Sequence, residues 1–170
     1  MKQITIISKT TLIETFIYEI FCDEYKYKGI SDINSPILSI IKEGRPFLSK
    51  ISVINENKEF MSIYKNYKTP LNNTLFTIKI KDNTYKLKES NTFKVPDFSI
   101  NSEFGNLSVN GTIANGKYYI SLNKNNIAEI FSKRNKDTKE YKINYNYISS
   151  DIENLIISIV IIIDNLYHYY

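Results

Sequence analysis

From about residue 50 to 148 the chain repeats one pattern: a short run of alternating apolar and polar positions, a polar turn, then a second alternating run. Period-two alternation over such lengths predicts strands with one buried face, and polar turns between them predict hairpins. The paired runs are 51–54 with 59–64, 75–80 with 85–88, 98–100 with 106–109, and 118–122 with 127–131, followed by 141–147. Between them stand Asn55-Glu-Asn57, Asp82-Asn83, Glu103-Phe-Gly105 and Asn123-Lys-Asn-Asn126, residues that tolerate tight or left-handed backbone. No helical pattern separates the runs, so a meander fits and parallel crossovers do not. Residues 2–7 read as a first strand. Thr11 to Tyr27 fits either two further strands or a strand and a helical turn, and Ile37 to Ile41, between Ser35-Pro36 and Gly44-Arg45-Pro46, fits a short helix or a strand.

The period then changes. Ser149-Ser150-Asp151-Ile152-Glu153 leads into a run of Leu, Ile and Val ending at Asp164. Ser150 and Glu153 have capping-box spacing, and Asp151 and Glu153 suit the positive end of a helix dipole, which predicts a helix over 151–166 (Asp151 to Leu166). At about 100° per residue, Asn154, Ser158 and Asn165 fall within about 40° of one another, and the rest of the surface is apolar. Such a helix belongs in a bilayer or in the middle of a core. Its unbroken apolar stretch is about half of the ~20 residues that a span requires. The core is therefore its place, and the strands before it, closed into a barrel, would be its walls.

Composition supports this with little added detail: 42% apolar and 24% charged, with 14 Tyr, 9 Phe and only 5 Gly, leans toward β structure and away from disorder. The net charge of +4 is too small to indicate nucleic-acid binding. With Cys22 as the one cysteine there is no intrachain disulfide and no cysteine-based zinc cluster, and a reducing, cytoplasmic setting follows most simply. Residues 1–7 lack the apolar core and cleavage site of a secretory signal. No linker divides the chain, which reads as one domain over residues 1–170.

The search for chemistry gives no catalytic set. There is no nucleophile elbow or phosphate-cradling loop, and the carboxylates lack metal-ligand spacing; a non-enzymatic protein without cofactor or metal is the reading. His168, the one histidine, is expected in a surface or fraying tail, Cys22 in a small core or strand position, and Asp164 capping or hydrogen-bonding at the barrel mouth. Basic residues carry the remaining signal. With Asp82-Asn83 as the turn, Lys79 would face Lys86 across a hairpin, and Lys81 and Lys88 would share their face. Like charges opposite one another disfavour pairing, so an anionic ligand would give the ribbon a use, although it also reads as a solvated edge. A second basic group, Lys133, Arg134 and Lys136 with Lys139, falls in the loop expected before the last strand.

Finally, Phe98-Ser-Ile100, Gly105-Asn-Leu107, Asn110-Gly111, Tyr118-Tyr-Ile-Ser-Leu122, Ile127-Ala-Glu-Ile130, Tyr141-Lys-Ile143 and Ile159-Val-Ile-Ile-Ile-Asp164 together resemble the LURP-one-related and tubby C-terminal-like superfamily, to which the phospholipid scramblases also look related. The resemblance implies a mainly β (β+α) fold: a closed antiparallel β-barrel of about twelve strands around a central hydrophobic C-terminal helix. Tubby-type relatives bind phosphoinositides through basic residues. The functional expectation is thus a module that binds anionic lipid head groups, a phosphoinositide-like ligand or another acidic ligand, placed in the cytoplasm or peripherally at a membrane. The alternative is a structural or protein-interaction domain with no small-molecule ligand; in neither reading is there a transmembrane span or a nucleic-acid partner.

Overall fold

A computed structural model of the chain describes residues 1–10, 16–23, 25–33, 47–67, 73–89 and 96–168. Twelve strands follow one another: β1 Lys2–Thr10, β2 Phe16–Cys22, β3 Lys26–Ile33, β4 Ser49–Asn55, β5 Lys58–Lys65, β6 Thr74–Ile80, β7 Asn83–Glu89, β8 Asp97–Ser102, β9 Gly105–Thr112, β10 Lys117–Leu122, β11 Asn125–Asn135 and β12 Thr138–Tyr145. Each pairs antiparallel with its sequence neighbours, and β1 pairs with β12 from Lys2↔Tyr145 to Lys9↔Thr138, which closes the barrel. Helix α1, Ser150–Tyr167, follows β12. The twelve-strand barrel and the C-terminal helix are as the resemblance implies. Within Thr11 to Tyr27 the described residues form β2 and the first two residues of β3, whose greater part lies beyond that segment; residues 11–15 and Ile37 to Ile41 lie outside the described residues.

Every residue of α1 from Leu155 to Asp164 is fully buried, on all sides of the helix. The strands supply the walls in alternating rows: Ile4, Ile6 and Ser8 on β1, Tyr18 and Ile20 on β2, Ile78 and Ile80 on β6, Tyr141, Ile143 and Tyr145 on β12. Helix propensity disfavours β-branched residues by less than about 0.7 kcal/mol each. Burial of an Ile or Val side chain contributes about 1.5–3 kcal/mol, so the location outweighs the propensity. The location also selects helix over strand, because a lone strand in a lumen would leave its N–H and C=O groups without a ladder partner, whereas a helix satisfies its own. The one polar residue between Leu155 and Ile163, Ser158, returns its hydroxyl to the Asn154 carbonyl oxygen at 2.8 Å and lies against the Met61 sulfur. Among the described residues no helix is long and apolar enough to cross a membrane.

Three details differ from the sequence expectation. The N-cap is Ser149, whose hydroxyl accepts from the Ile152 N–H at 3.3 Å, and the helix runs one residue further at each end. The capping box at Ser150 does not form because the Glu153 carboxylate accepts a hydrogen bond from the Tyr145 hydroxyl instead. In the β6–β7 hairpin the turn residues are Lys81 and Asp82, not Asp82 and Asn83; Lys81 takes the left-handed conformation at φ +52°, so Ile78 pairs with Tyr85 and Lys79 with Thr84. Lys133 and Arg134 lie inside β11 rather than in a loop, and only Lys136 belongs to the turn before β12.

The two barrel ends are built differently. Short turns cap the end where α1 starts: Glu56 and Asn57, Lys81 and Asp82, and Asn123 and Lys124 are turn pairs with at least one positive φ. The other end carries a 3-10 turn, Ile113–Asn115, closed by Gly116 at φ +58°.

Candidate functional site

The lysine ribbon expected on β6 and β7 is dispersed by the observed register. Lys79 stands on the outer face with its ammonium 5.6 Å from the centre of the Tyr64 ring, and Lys81 pairs with Asp151 at 3.6 Å. Lys86 and Lys88 are exposed, opposite Thr77 and Thr74 rather than another lysine. The repulsion that would have called for an anion is therefore absent from this hairpin.

The second basic group is brought together. Because β11 and β12 pair as Ser132↔Tyr141, Lys133↔Glu140 and Arg134↔Lys139, alternation puts Ser132, Arg134 and Lys139 on the inner row at the end where α1 finishes. They open onto a cavity of about 660 Å³, lined among the described residues by Ile113, Ala114, Asn115, Gly116, Ser132, Lys133, Arg134 and Lys139, so that three cations and no carboxylate of those residues face it. Lys136 is exposed in the neighbouring turn and does not line it. Lys139 is 2% exposed, and its ammonium donates to the Tyr167 carbonyl oxygen at 2.7 Å, at the negative end of the helix dipole. Burial lowers its pKa, Asp164 opposes that, and Arg134 adds to it. Glu140, the nearest acid in the register, pairs outward with Lys142 at 3.6 Å.

Beneath this cavity lies a sealed polar cluster. Asp164, fully buried, accepts at Oδ2 from Ser8 Oγ at 2.5 Å and at Oδ1 from the Tyr141 hydroxyl at 2.9 Å, and the His168 Nδ1 lies 2.9 Å from that same Oδ1. His168 is 5% exposed and packs edge-on against Phe16 at 5.1 Å, which corrects the expectation of a surface tail: the side chain turns inward because Asp164, one helical turn earlier, has no water to meet it. Asp164 does hydrogen-bond at a barrel end as expected, though with no exposure to solvent. Tyr18 and Tyr118 also point inward, each opposite a glycine: a Cβ on Gly29 would come within 3.0 Å of Tyr18, and one on Gly111 within 2.4 Å of the Lys117 carbonyl. Among the described residues neither hydroxyl makes a well-formed hydrogen bond, although Tyr18 lies toward Asp164 and Ser8 and Tyr118 toward Ser132. Burial first, then Asp164, pushes the ionisation of Tyr18 and Tyr141 up. A serine, a histidine and an aspartate meet here without forming a nucleophilic relay, since Ser8 and Asp164 both lie at Nδ1, at 3.4 and 2.9 Å, whereas a relay uses opposite ring nitrogens.

At the opposite mouth, around the start of α1, is a cavity of about 1010 Å³. Cys22, Tyr27, Met61, Tyr145 and Glu153 belong to its inner wall, while Ser62, Tyr64 and Lys79 extend it over the outer face of β5 and β6. Phe60 enters because the β4–β5 register shifts between Val53 and Ile54, making it the extra residue of a bulge; its ring lies 4.9 Å from that of Tyr27. Cys22 is half-buried at the end of β2, the strand position expected for it, and burial with Glu153 and Asp23 pushes its thiol up to about 12. A thiol held so high is protonated at neutral pH and a poor nucleophile. Sequence reasoning missed this constellation: a bulge at Phe60 leaves no mark in the alternation, and Glu153 reads there as a capping residue.

Among the described residues no group of three or more His, Cys, Asp and Glu is placed to hold a metal ion. Comparison with protein-family models, with curated proteins and with solved structures gives no match.

Proposed function

We propose that the protein is a non-enzymatic binding module that takes an anionic group, of the kind carried by lipid head groups, in the basic cavity at the end of the barrel where α1 finishes. The observation that supports this reading is the lining of that cavity: among the described residues its charged side chains are Lys133, Arg134 and Lys139. Arg134 offers a planar fork suited to phosphate or carboxylate, and Lys139 is already stripped of water, so an anion meets it at low hydration cost. Ile113 and Ala114 at the rim add an apolar tip beside the cations, the combination that a membrane surface rewards. The resemblance to tubby-type proteins, which bind phosphoinositides through basic residues, agrees with this reading. Lys79, Lys81, Lys86 and Lys88 have no part in it, and Lys136 adds at most long-range attraction.

The test is co-sedimentation with vesicles of neutral lipid and of the same lipid containing phosphatidylserine or phosphoinositide, at low and high salt. Anionic vesicles should recruit the chain and salt should release it, each Lys or Arg near the surface contributing about 1 kcal/mol. Replacing Lys133 and Arg134 by Gln should abolish recruitment, and replacing Lys79, Lys81, Lys86 and Lys88 by Gln should not. Equal recovery with neutral and anionic vesicles sinks the lipid reading; inorganic pyrophosphate titrated into the chain then tells whether a soluble anion is the ligand.

A further inference from the structure

The mouth around the start of α1 has a chemistry of its own, independent of the basic end. Its inner wall is aromatic, with Tyr27 and Phe60 in contact at 4.9 Å and Tyr145 beside Glu153. Its deepest charged group is Glu153, half-buried on the first turn of the helix. Among the described residues the other acids near this mouth are either tied up or peripheral: Glu59 is held by Lys50 at 3.1 Å and Asp151 by Lys81 at 3.6 Å, while Asp23 and Glu56 stand exposed at the rim. The ammonium groups of the lining stay out of the depth of the cavity. Lys2 sits 4.4 Å over the Tyr147 ring at the rim, Lys79 lies on the outer face over Tyr64, Lys58 is exposed beside its turn, and Lys81 has Asp151.

We infer that this mouth is a binding site for an organic ammonium ion, whose apolar body lies against Tyr27, Phe60 and Tyr145 and whose charge is met by the Glu153 carboxylate. Two features converge on that class. The cavity of about 1010 Å³, part of which runs over the outer face of β5 and β6, leaves the mouth open to a small organic molecule. Aromatic faces beside a single carboxylate attract a desolvated cation by both the ring quadrupole and the charge. Glu153 also acts on its neighbours in the mouth: burial is the first cause of the raised ionisation of Cys22, Tyr27 and Tyr145, and Glu153 appears in all three as a further upward push. The bulge at Phe60 gains a purpose on this account, since it turns a ring into the mouth that regular alternation would place elsewhere.

The experiment is isothermal titration of the full chain at low ionic strength with three probes of similar size: phenethylammonium, 2-phenylethanol and phenylacetate. The ammonium should bind about tenfold or more tightly than either of the others. Glu153→Gln, which keeps an oxygen to accept from Tyr145, should bring the ammonium down to the level of the alcohol, and Phe60→Leu should weaken ammonium and alcohol together. Arg134→Gln, at the far end of the barrel, should change none of the three. Phenylacetate binding as well as the ammonium, or no heat from any probe, overturns the proposal on the unaltered chain alone. Unchanged ammonium affinity in a folded Glu153→Gln protein overturns the role of that carboxylate.

Discussion

At one end of the barrel α1 begins beside an open cavity with aromatic walls and a carboxylate in its depth; at the other it finishes over a sealed cluster around Asp164, beneath a small basic cavity. The same helix thus presents two unlike environments about 27 Å apart at 1.5 Å per residue. The difference teaches where freedom to bind resides. Asp164 has its needs met by Ser8, Tyr141 and His168, so its cluster stabilises and offers nothing to a ligand. Glu153 makes one hydrogen bond with its side chain and remains half-exposed, which leaves it capacity for a partner.

The two ends stay distinct only while the helix fills the space between them. The largest expected effect is therefore that of Ile161→Asp, which places an unpaired charge at a fully buried position. The cost is of the same order as the whole stability of a domain, about 5–15 kcal/mol, and a cooperative thermal transition should be lost. Next comes the contrast between the two carboxylates: Asp164→Ala leaves three buried partners unsatisfied and should cost about 3–5 kcal/mol in denaturant melts, whereas Glu153→Gln should cost under about 1 kcal/mol. Equal losses would erase the comparison.

A third effect is alkaline. Tyr18, Tyr118 and Tyr141 at one end and Tyr145 at the other all have ionisation raised first by burial. A tyrosine held protonated in the fold contributes stability that is fully present below its ordinary pKa of about 10 and is lost as the pH climbs above it. Stability should fall between pH 10 and 12, and tyrosinate absorbance should rise in step with unfolding rather than before it. Tyr85, pushed up to about 12 by burial first and then by Glu103, should titrate in that same window. The smallest effect is that of Lys133→Gln with Arg134→Gln: stability should move by no more than about 0.5 kcal/mol while anionic vesicles are lost as partners.

Much of the architecture was legible because it rests on periodicity. The change from period two to an unbroken apolar run before Asp164 announces an enclosed helix, and alternation announces the later hairpins. The places where reading failed have local causes. Lys81 takes a left-handed turn position that lysine does not advertise, so Asp82-Asn83 looked the better turn and the ribbon was assembled in the wrong register. Ser149 and Ser150 are both good caps, and the choice between them is made by Tyr145, which claims Glu153 across the mouth. His168 reads as a tail because nothing local shows that Asp164 needs it. Of the binding residues, Lys133 and Arg134 were visible as a basic cluster, but their convergence with Lys139 depends on the pairing of β11 with β12.

The seam between β1 and β12 also dictates the order of assembly. Lys2 must wait for Tyr145, and the hydrophobic filling is synthesised after all twelve staves of the cask. During translation the early strands therefore have no interior to close upon, and contacts spanning most of the polypeptide should make folding slow and late. A ribosome-bound chain halted before Ser150 is the state in which those unfilled inner faces would need a chaperone.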